Sequence, residues 1–581
     1  MNPVNLSWLL PLSIAVPFLL AVLLGFPGAR KWMTKFMVLA PLPALVTAVW
    51  AMVHDGADIV LDLPWLLIGS RLVLDDTGQL FLLLTALIWL SSAMFAVRDI
   101  AAVQNRVRFG LSFLVALTGN IAVTIAADVV TFYTAFALMS FAAYGLIVTS
   151  DDKAVVRAGR VYIALVVIGE LMLFSAFVTG VNTSGSIYLA QWHSAMHVAI
   201  TVTFIIMGFG IKLGVIPWHF VLPISYQAAP YSAAVALGGA MLNAGMLGWL
   251  RFLPLGHSAS PDWGVALIVL GMLASFLGVV LGVFQKNPKA LLGYSSVSQV
   301  GLMTVIVGVA LVDPGQWKIL SAVLLIYVFH HALAKGALFY AAGFRTALSK
   351  PVYYWMCFAL LLPALSIAGA PLTSGALAKS GFKTVLPALP EPWSMWLVYL
   401  LPLSSVATSL LLMRFIFMVW PQRVRAPGSP DTALYGQVLL TLAVAIMAWL
   451  FASVNGGQTV AVALKAASLW ASSWPLMAAI ILAAVAVWLG KRFNLRLRVL
   501  PAGDLLLPIE SILRYALKLL LRLALFIETM WSRTKLSLNA SLLDESLQAS
   551  ERILRSPVTV GVMFILMFLG ILLTLGILLN R

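Results

Sequence analysis

The 581-residue chain is 62% hydrophobic and only 10% charged. Soluble domains are usually about half apolar and about a quarter charged, so this composition excludes an ordinary soluble globular protein and indicates that lipid is the solvent. The formal net charge of +16 does not indicate nucleic-acid binding, because the basic residues lie in short segments between apolar runs. The single cysteine, Cys357, excludes an internal disulfide and a cysteine-based metal or redox centre.

Apolar runs long enough to cross a bilayer as helices recur along the whole chain. The first run follows an N-terminus without basic residues, so we interpret it as a retained helix and not as a cleaved signal. The expected fold is an all-α polytopic membrane protein. About sixteen transmembrane helices are predicted, with approximate cores at 5–25, 34–53, 77–96, 109–126, 129–149, 159–180, 197–217, 231–254, 263–284, 290–312, 318–344, 353–386, 395–419, 433–454, 472–490 and 557–578.

Basic residues cluster after the odd-numbered spans, which indicates one cytoplasmic side for all of these loops. Both termini are then expected on the outer side, and nothing in the sequence indicates organelle targeting, so we expect a bacterial cytoplasmic (inner) membrane. The residues behind this prediction are Arg30, Lys31, Lys35, Arg98, Arg106, Arg108, Lys153, Arg157, Arg160, Lys286, Lys289, Arg345, Lys350, Arg423, Arg425 and Lys491 to Arg498.

Residues 501–556 depart from this pattern because they are amphipathic. Arg514, Lys518 and Arg522 recur at spacings of four, which places them on one face of a helix whose other faces are apolar. We expect a lateral helix on the cytoplasmic membrane surface that straps neighbouring membrane subunits together. The alternative is a bent loop that contains short helices.

Two spans are interrupted by proline and glycine. The seventh contains Pro217 and the twelfth contains Pro371, and both prolines are predicted to be structural helix breaks. Paired broken spans in corresponding halves point to a transport site between inverted repeats. Because the two spans are five apart, they run in opposite directions, as two inverted five-helix repeats require.

These features divide the chain into six predicted segments. They are N-terminal transmembrane helices at 1–108, a first half-channel at 109–255, a second half-channel at 262–420, C-terminal transmembrane helices at 430–500, the lateral helix at 501–556 and a final transmembrane helix at 557–581.

Ionisable side chains inside the spans are rare, and in lipid they usually mark a functional path. A nearby carboxylate can switch a buried lysine between its charged and neutral forms, and histidine exchanges protons near neutral pH. The alternatives without a transport role are lysines that snorkel to the interface, a purely structural carboxylate and packed core histidines. The candidates for a proton path are Lys212, Glu170, His330, His331, Lys335 and Lys379.

Four ordered stretches around these residues resemble one family. They are "IKLGVIPWHFVLPISYQAAPYSAAVALGGAMLNAG", "FQKNPKALLGYSSVSQVGL", "HALAKGALFYAAG" and "GAPLTSGALAK". They are similar to motifs of the antiporter-like subunits of complex I (subunit 5 and its relatives), of Mrp-type cation/proton antiporters and of energy-converting membrane hydrogenases. The predicted lateral helix with a last span after it is similar to subunit-5 and Mrp A-type members.

The resemblance implies a role for each matching residue. Lys212 corresponds to the central lysine of the first half-channel, His331 and Lys335 to the bridge between halves, and Lys379 to the terminal lysine. The family's glutamate in the fifth span is absent, because Ala137 stands in its place.

Glu170 is the only acid well inside spans four to eight, and we expect it to take over as the partner of Lys212. In the eighth span the chain has Gly239 and Asn243, where some members of the family carry a lysine or histidine. These features favour the hydrogenase-like or Mrp-like branch.

The function expected from the sequence is proton translocation, with sodium as an alternative exchanged ion, in a subunit of a multi-subunit complex. No catalytic site, cofactor or metal site is expected in the chain, so any redox chemistry would belong to partner subunits. Two alternatives stay open: the membrane partner of an inorganic-carbon uptake complex, and a structural subunit with a degenerate channel. The lateral helix argues against the first, and the three retained lysines argue against the second.

Overall fold

The computed structural model describes residues 7–503 apart from 55–58, 68, 193–197, 348, 390, 424–431, 456 and 495–499. The α-helices in these ranges are α1 Leu9–Gly25, α2 Met33–Leu39, α3 Leu42–Val53, α4 Asp76–Asp99, α5 Arg106–Ile125, α6 Val129–Ile147, α7 Lys153–Ser184, α8 Leu189–Trp192, α9 Ala199–Leu213, α10 Val221–Ala228, α11 Tyr231–Ala236, α12 Leu242–Phe252, α13 Pro261–Val283, α14 Pro288–Val312, α15 Trp317–Gly343, α16 Lys350–Ala368, α17 Ser374–Val385, α18 Trp393–Val419, α19 Thr432–Asn455, α20 Gly457–Ala463 and α21 Ala466–Arg492.

Short irregular helices join or interrupt these elements. Turns of 3₁₀ helix lie at Pro27–Trp32, Ile100–Ala102, Trp218–Phe220, Pro314–Gln316 and Leu386–Ala388, and a π-helix at Leu237–Met241 joins α11 to α12. Strands β1 (Ile59–Leu63) and β2 (Ser70–Leu74) form an antiparallel hairpin, and the two-residue strands β3 (Thr346–Ala347) and β4 (Gln422–Arg423) pair in parallel. The sequence analysis did not predict these strands.

The prediction of an all-helical polytopic membrane protein is confirmed. Thirteen helices within the described ranges are long and apolar enough to span a membrane, and two shorter apolar helices lie at Leu9–Gly25 and Thr432–Met447. Together these fifteen helices match the first fifteen predicted runs. The sixteenth run, the final segment at 557–581 and nearly all of the lateral segment at 501–556 lie outside the described residues. The two inverted five-helix repeats stay a prediction.

Burial divides the helices into a centre and a periphery. Helices α4, α14 and α15 are almost entirely enclosed by other helices, whereas α21 is mostly exposed. Exposed faces of the peripheral helices carry large apolar side chains, such as Leu171 and Ile481. This arrangement suits a bundle in lipid, because outward apolar residues have no cost there and polar groups collect inside.

Small residues let the central helices approach closely. Glycines 264, 271 and 278 of α13 lie against glycines 301 and 308 and the backbone of Tyr294 in α14. A Cβ atom built on Gly271 would lie 2.5 Å from the carbonyl oxygen of Gly301. This packing of backbone on backbone is typical of membrane helix pairs that use small residues at the contact.

An ion pair between Asp75, just before one span, and Arg251, at the end of another, fixes the start of α4 against the end of α12. Asp75 caps α4 by accepting from the backbone N–H of Gly78, and the Arg251 Nη2 donates to Asp75 Oδ1 at 2.6 Å. Burial works to raise the pKa of Asp75, but the hydrogen bond and positive charge of Arg251 hold the pKa below its usual value. The carboxylate therefore stays charged near neutral pH and ties together two neighbouring spans.

Candidate functional site

Two helices are broken inside the bundle, and each break lies beside a lysine. Helix α9 ends at Leu213, and Gly214 follows with φ of 68°. Helix α16 ends at Ala368, and Gly369 follows with φ of 83°. Glycine adopts this left-handed conformation without steric cost, and the following prolines, Pro217 and Pro371, cannot donate a backbone hydrogen bond. At the second break, the last two carbonyl groups of α16 accept hydrogen bonds from a side chain and not from the next turn of a helix.

Lys212 lies in the last turn of α9 and faces a cavity of about 40 Å³. The cavity is also lined by Glu170 and Tyr162 of α7 and by Ser140 of α6. The Lys212 Nζ donates to the Tyr162 hydroxyl at 3.3 Å, and that hydroxyl donates to the Ser140 carbonyl at 2.9 Å. A cavity of this size holds about three water molecules, so water can connect these polar groups.

The structure brings Glu170 and Lys212 to the same cavity. The two charges interact electrostatically, although no direct contact within 4.0 Å joins the carboxylate to the ammonium. Glu170 is only 4% exposed, and its Oε2 atom finds no partner among the described protein groups. An unpartnered buried carboxylate oxygen is costly, so it indicates a place for water or for a mobile proton.

Close packing of α7 on α9 sets this arrangement. A Cβ atom on Gly169 would lie 3.3 Å from the carbonyl oxygen of Gly208, and one on Gly208 would lie 2.6 Å from Leu173. Glu170 directly follows Gly169, and Lys212 lies one turn after Gly208. The glycine contact therefore places the acid and the base on facing surfaces of neighbouring helices.

Ala137 is buried in α6, on the helix that also supplies Phe136 and Ser140 to the cavity wall. The Phe136 ring lies 6.0 Å from the Lys212 ammonium, and the Tyr162 ring lies 5.7 Å away. The lysine therefore has an aromatic ring on the α6 side, and both an aromatic ring and a carboxylate on the α7 side.

Lys335 and His331 occupy the centre of the bundle on α15. Lys335 is fully buried, and its Nζ donates to the backbone carbonyl of Leu292 in α14 at 3.0 Å. His331, one turn earlier, is also fully buried, and neither ring nitrogen has a hydrogen-bond partner among the described residues. An imidazole without protein partners in this setting favours bound water, because buried polar atoms are nearly always satisfied. The two side chains interact electrostatically.

His330 faces the second helix break. Its Nδ1 atom lies 2.9 Å from the Ser374 hydroxyl and 3.2 Å from the Ser366 hydroxyl, and these two hydroxyls lie 2.6 Å apart. Ser366 precedes the break in α16, and Ser374 begins α17. A Cβ atom on Gly375 would lie 1.7 Å from the Ser366 carbonyl oxygen, so only glycine allows the two half-helices to meet here.

Lys379 is held by the end of the first half-helix. Its Nζ donates to the carbonyl of Ala368 at 3.0 Å, to that of Ile367 at 3.4 Å and to the Ser405 hydroxyl of α18 at 3.1 Å. The carbonyl end of a helix carries partial negative charge and stabilises a cation. His330 is close enough to interact with Lys379 electrostatically.

The structure thus places all six candidates inside the bundle, and neighbouring candidates interact electrostatically. Glu170 with Lys212 is one group, and His331 with Lys335 is a second; His330 joins the second group to Lys379.

The sequence analysis missed the hydroxyl and amide groups around these candidates. Tyr327 donates to Gln299 at 2.9 Å, and Gln299 donates to Thr408 at 3.3 Å. The available signal was the serine-rich "YSSVSQ" stretch inside an apolar run.

Known proteins resemble this chain in sequence and in fold. Residues 126–410 match the family model described as NADH:quinone oxidoreductase/Mrp antiporter, TM. Hydrogenase-4 component B of Escherichia coli (strain K12) is 25% identical over 354 residues, which cover 56% of this chain and 52% of the relative. A Na⁺/H⁺ antiporter subunit of Alkalihalophilus pseudofirmus is 26% identical over 331 residues, which cover 54% of this chain and 66% of that protein.

The chain spans about half to two thirds of the length of these curated relatives. A solved structure of the Mrp complex from a Dietzia species matches with a TM-score of 0.72 at 20% identity, over 94% of this chain and 63% of the other. At this identity the likeness shows the fold alone. The stretch that matches the NADH:quinone oxidoreductase/Mrp antiporter family model, residues 126–410, contains all six candidate side chains.

Proposed function

We propose that this chain is the proton-translocating membrane subunit of a multi-subunit complex of the respiratory, hydrogenase or Mrp antiporter type. The observation that carries the proposal is the cavity shared by Glu170 and Lys212. It puts an acid and a base within electrostatic reach, inside an apolar bundle and beside a helix break. Intramembrane ionisable groups are expensive to bury and usually mark an ion pathway.

In the proposed path, a proton that enters the first half-channel first binds to Lys212. Movement of a proton onto Glu170 removes the negative charge that stabilises the ammonium, so Lys212 releases its own proton more easily. The Tyr162 hydroxyl, at 3.3 Å from the ammonium, and water in the cavity would carry the proton over the short gaps. Glu170 thereby takes the role that Ala137 cannot perform.

From there the path crosses the bundle centre and ends at the second break. His331 and Lys335 share one face of α15 because they are four residues apart. His330, its two serine hydroxyls and Lys379 continue in the same direction. The unpartnered nitrogens of His331 support a water at this crossing.

The assignment to a complex rests on the relatives, which are named as hydrogenase and antiporter components. They favour such a complex over an inorganic-carbon uptake system. We propose the bacterial inner membrane as the location, with both termini on the outer side and partner membrane subunits strapped by the lateral segment at 501–556. That segment lies almost entirely outside the described residues.

Exchange of protons for sodium is a second candidate. The carbonyls of Ile367 and Ala368 and the Ser405 hydroxyl form a group of oxygens around the Lys379 ammonium. Oxygen ligands at the end of a half-helix are the arrangement that transporters use for Na⁺. Dependence of ²²Na⁺ uptake on an imposed pH gradient, and its loss in Lys379→Gln, would test this candidate in the reconstituted complex.

The main function is tested by Lys212→Ala in the intact complex reconstituted into liposomes. A potassium–valinomycin potential drives protons, and a pH-sensitive dye reports their flux. We expect flux to fall to the level of protein-free liposomes while the complex stays assembled, because the variant lacks the ionisable group that would hold the proton in this cavity. Lys318→Ala, which removes an exposed lysine at the start of α15, is the matched control. Wild-type flux in Lys212→Ala would refute the proposal.

A further inference from the structure

Helix α17 carries a second lysine that the path described above does not use. Lys383 lies four residues after Lys379, so the two side chains share one face of the helix. Both line a cavity of about 10 Å³, together with Tyr327, Ser404 and Ser405. A space of this size holds about one water molecule. The cavity therefore connects the terminal lysine of the path to another titratable group.

Lys383 lies between Lys379 and the loop that ends this half-helix. Four residues of α-helix correspond to about 6 Å of rise, away from the break at Gly369. Helix α17 ends at Val385, only two residues after Lys383, and the exposed Glu391 lies in the connection to α18. Lys383 is half-buried, whereas Thr384 beside it is exposed. The second lysine is thus placed where the cavity approaches the aqueous end of the helix.

The two ammonium groups are bound very differently. Lys379 donates to three oxygens, of Ile367, Ala368 and Ser405. Among the described residues, no protein oxygen accepts a hydrogen bond from the Lys383 ammonium. Two like charges one helical turn apart repel each other, so a proton on one lysine weakens the hold on a proton at the other. Such a pair favours passage of one proton at a time.

We propose that Lys383 takes the proton from Lys379 through a water in their shared cavity and releases it to the aqueous phase at this end of α17. This inference rests on the proposed function, because it extends the same path by one group. No bond other than N–H and O–H bonds is broken or formed, and the proton that leaves Lys379 is the one that Lys383 gains.

A structural lysine at this position would have other requirements. Lysine near the end of a helix can stabilise the carbonyl end of that helix, and its long chain can snorkel to the membrane surface. Arginine performs both tasks equally well, but it stays protonated at any accessible pH and so cannot pass a proton on. Replacement by arginine therefore separates a proton carrier from a structural cation.

The first test compares Lys383→Arg, Lys383→Gln and Lys318→Gln in the reconstituted complex, with wild type and Lys212→Ala in parallel. We expect proton flux in both Lys383 variants to fall at least about tenfold, which corresponds to about 1.4 kcal/mol on the barrier. Lys318→Gln should transport as wild type does. Wild-type flux in Lys383→Arg would overturn the role of Lys383 while leaving the proposed function intact, provided that Lys212→Ala is inactive.

The second test restores the amine chemically. Lys383→Cys is made together with Cys357→Ser, because Cys357 is the only native cysteine. Aminoethyl methanethiosulfonate rebuilds a titratable amine, and the trimethylammonium reagent adds a fixed charge of the same sign. We expect only the first reagent to raise flux. The increase should be at least about fivefold over the unmodified variant, which recovers about half of the wild-type flux. Equal recovery with both reagents, or none with either, would overturn the proposal.

Discussion

The two broken helices stabilise a lysine in different ways. At the first break, Lys212 faces Glu170 across a cavity and has a tyrosine hydroxyl as its hydrogen-bond partner. At the second break, Lys379 has three oxygen acceptors, two of them backbone carbonyls. No carboxylate lies among the described residues that line its cavity. One lysine is thus balanced by a mobile negative charge, and the other by fixed dipoles.

This difference indicates that the two halves have different roles in moving a proton. A carboxylate can gain a proton, so its attraction for a lysine can be switched off. Backbone carbonyls at a helix end cannot change charge, so they hold a cation at constant strength. We infer that the first half controls when a proton moves and that the second half provides a steady receiving site.

The largest effect on proton flux is expected from removing the negative charge of Glu170. Glu170→Gln keeps the shape of the side chain but cannot carry a negative charge. We expect proton flux of the reconstituted complex to fall to near background, because Lys212 then has no anion in its cavity. Ala137→Glu added to Glu170→Gln should restore part of the flux, because it returns an acid to α6, the helix that supplies Phe136 and Ser140 to the cavity wall. Normal flux in Glu170→Gln would show that the first half needs no internal acid.

A smaller effect, on stability, should separate the second break from the contact between α7 and α9. In Gly375→Ala the new Cβ meets the Ser366 backbone oxygen at 1.7 Å, whereas in Gly208→Ala it meets the Leu173 side chain at 2.6 Å. A side chain can rotate away, but the backbone of a packed half-helix cannot. We expect Gly375→Ala to lose about 1–3 kcal/mol of stability, and Gly208→Ala clearly less.

Thermal unfolding of the detergent-solubilised complex measures this difference as a shift in Tm. The two variants add the same methyl group, so each is the control of the other. A larger Tm decrease in Gly208→Ala than in Gly375→Ala would contradict the view that backbone contact defines the second break.

The smallest effect is expected from Ser405→Ala. It removes one of the three acceptors of the Lys379 ammonium, a loss of about 0.5–1.5 kcal/mol, and leaves the two carbonyls in place. Flux should therefore fall only a fewfold. Ser409→Ala, one turn further along α18, removes a hydroxyl that bonds to the Ser405 carbonyl and not to Lys379, and it should leave flux unchanged. Complete loss in Ser405→Ala would mean that the carbonyl dipoles do not hold the lysine.

The membrane setting, the helical class and the candidate residues for a proton path could all be predicted from the sequence. Long apolar runs can satisfy their backbone groups in lipid only as helices, so composition alone predicted fifteen helices that the described residues contain. The rarity of charge inside these runs singled out Glu170, Lys212, Lys335 and Lys379. The positions of Pro217 and Pro371 predicted where two helices break, although the helices themselves end a few residues earlier, at Leu213 and Ala368.

What each of these groups faces depends on how the helices pack in three dimensions. Glu170 and Lys212 are 42 positions apart, and their common cavity depends on how closely Gly169 and Gly208 let two helices approach. The partners of Lys379 are carbonyl groups, which every residue has, so no sequence pattern could identify them. In the sequence, Lys383 is an ordinary basic residue near a helix end, and only the cavity that it shares with Lys379 distinguishes it. Residue type limits which chemistry is possible, whereas distance and orientation across helices decide which of it takes place.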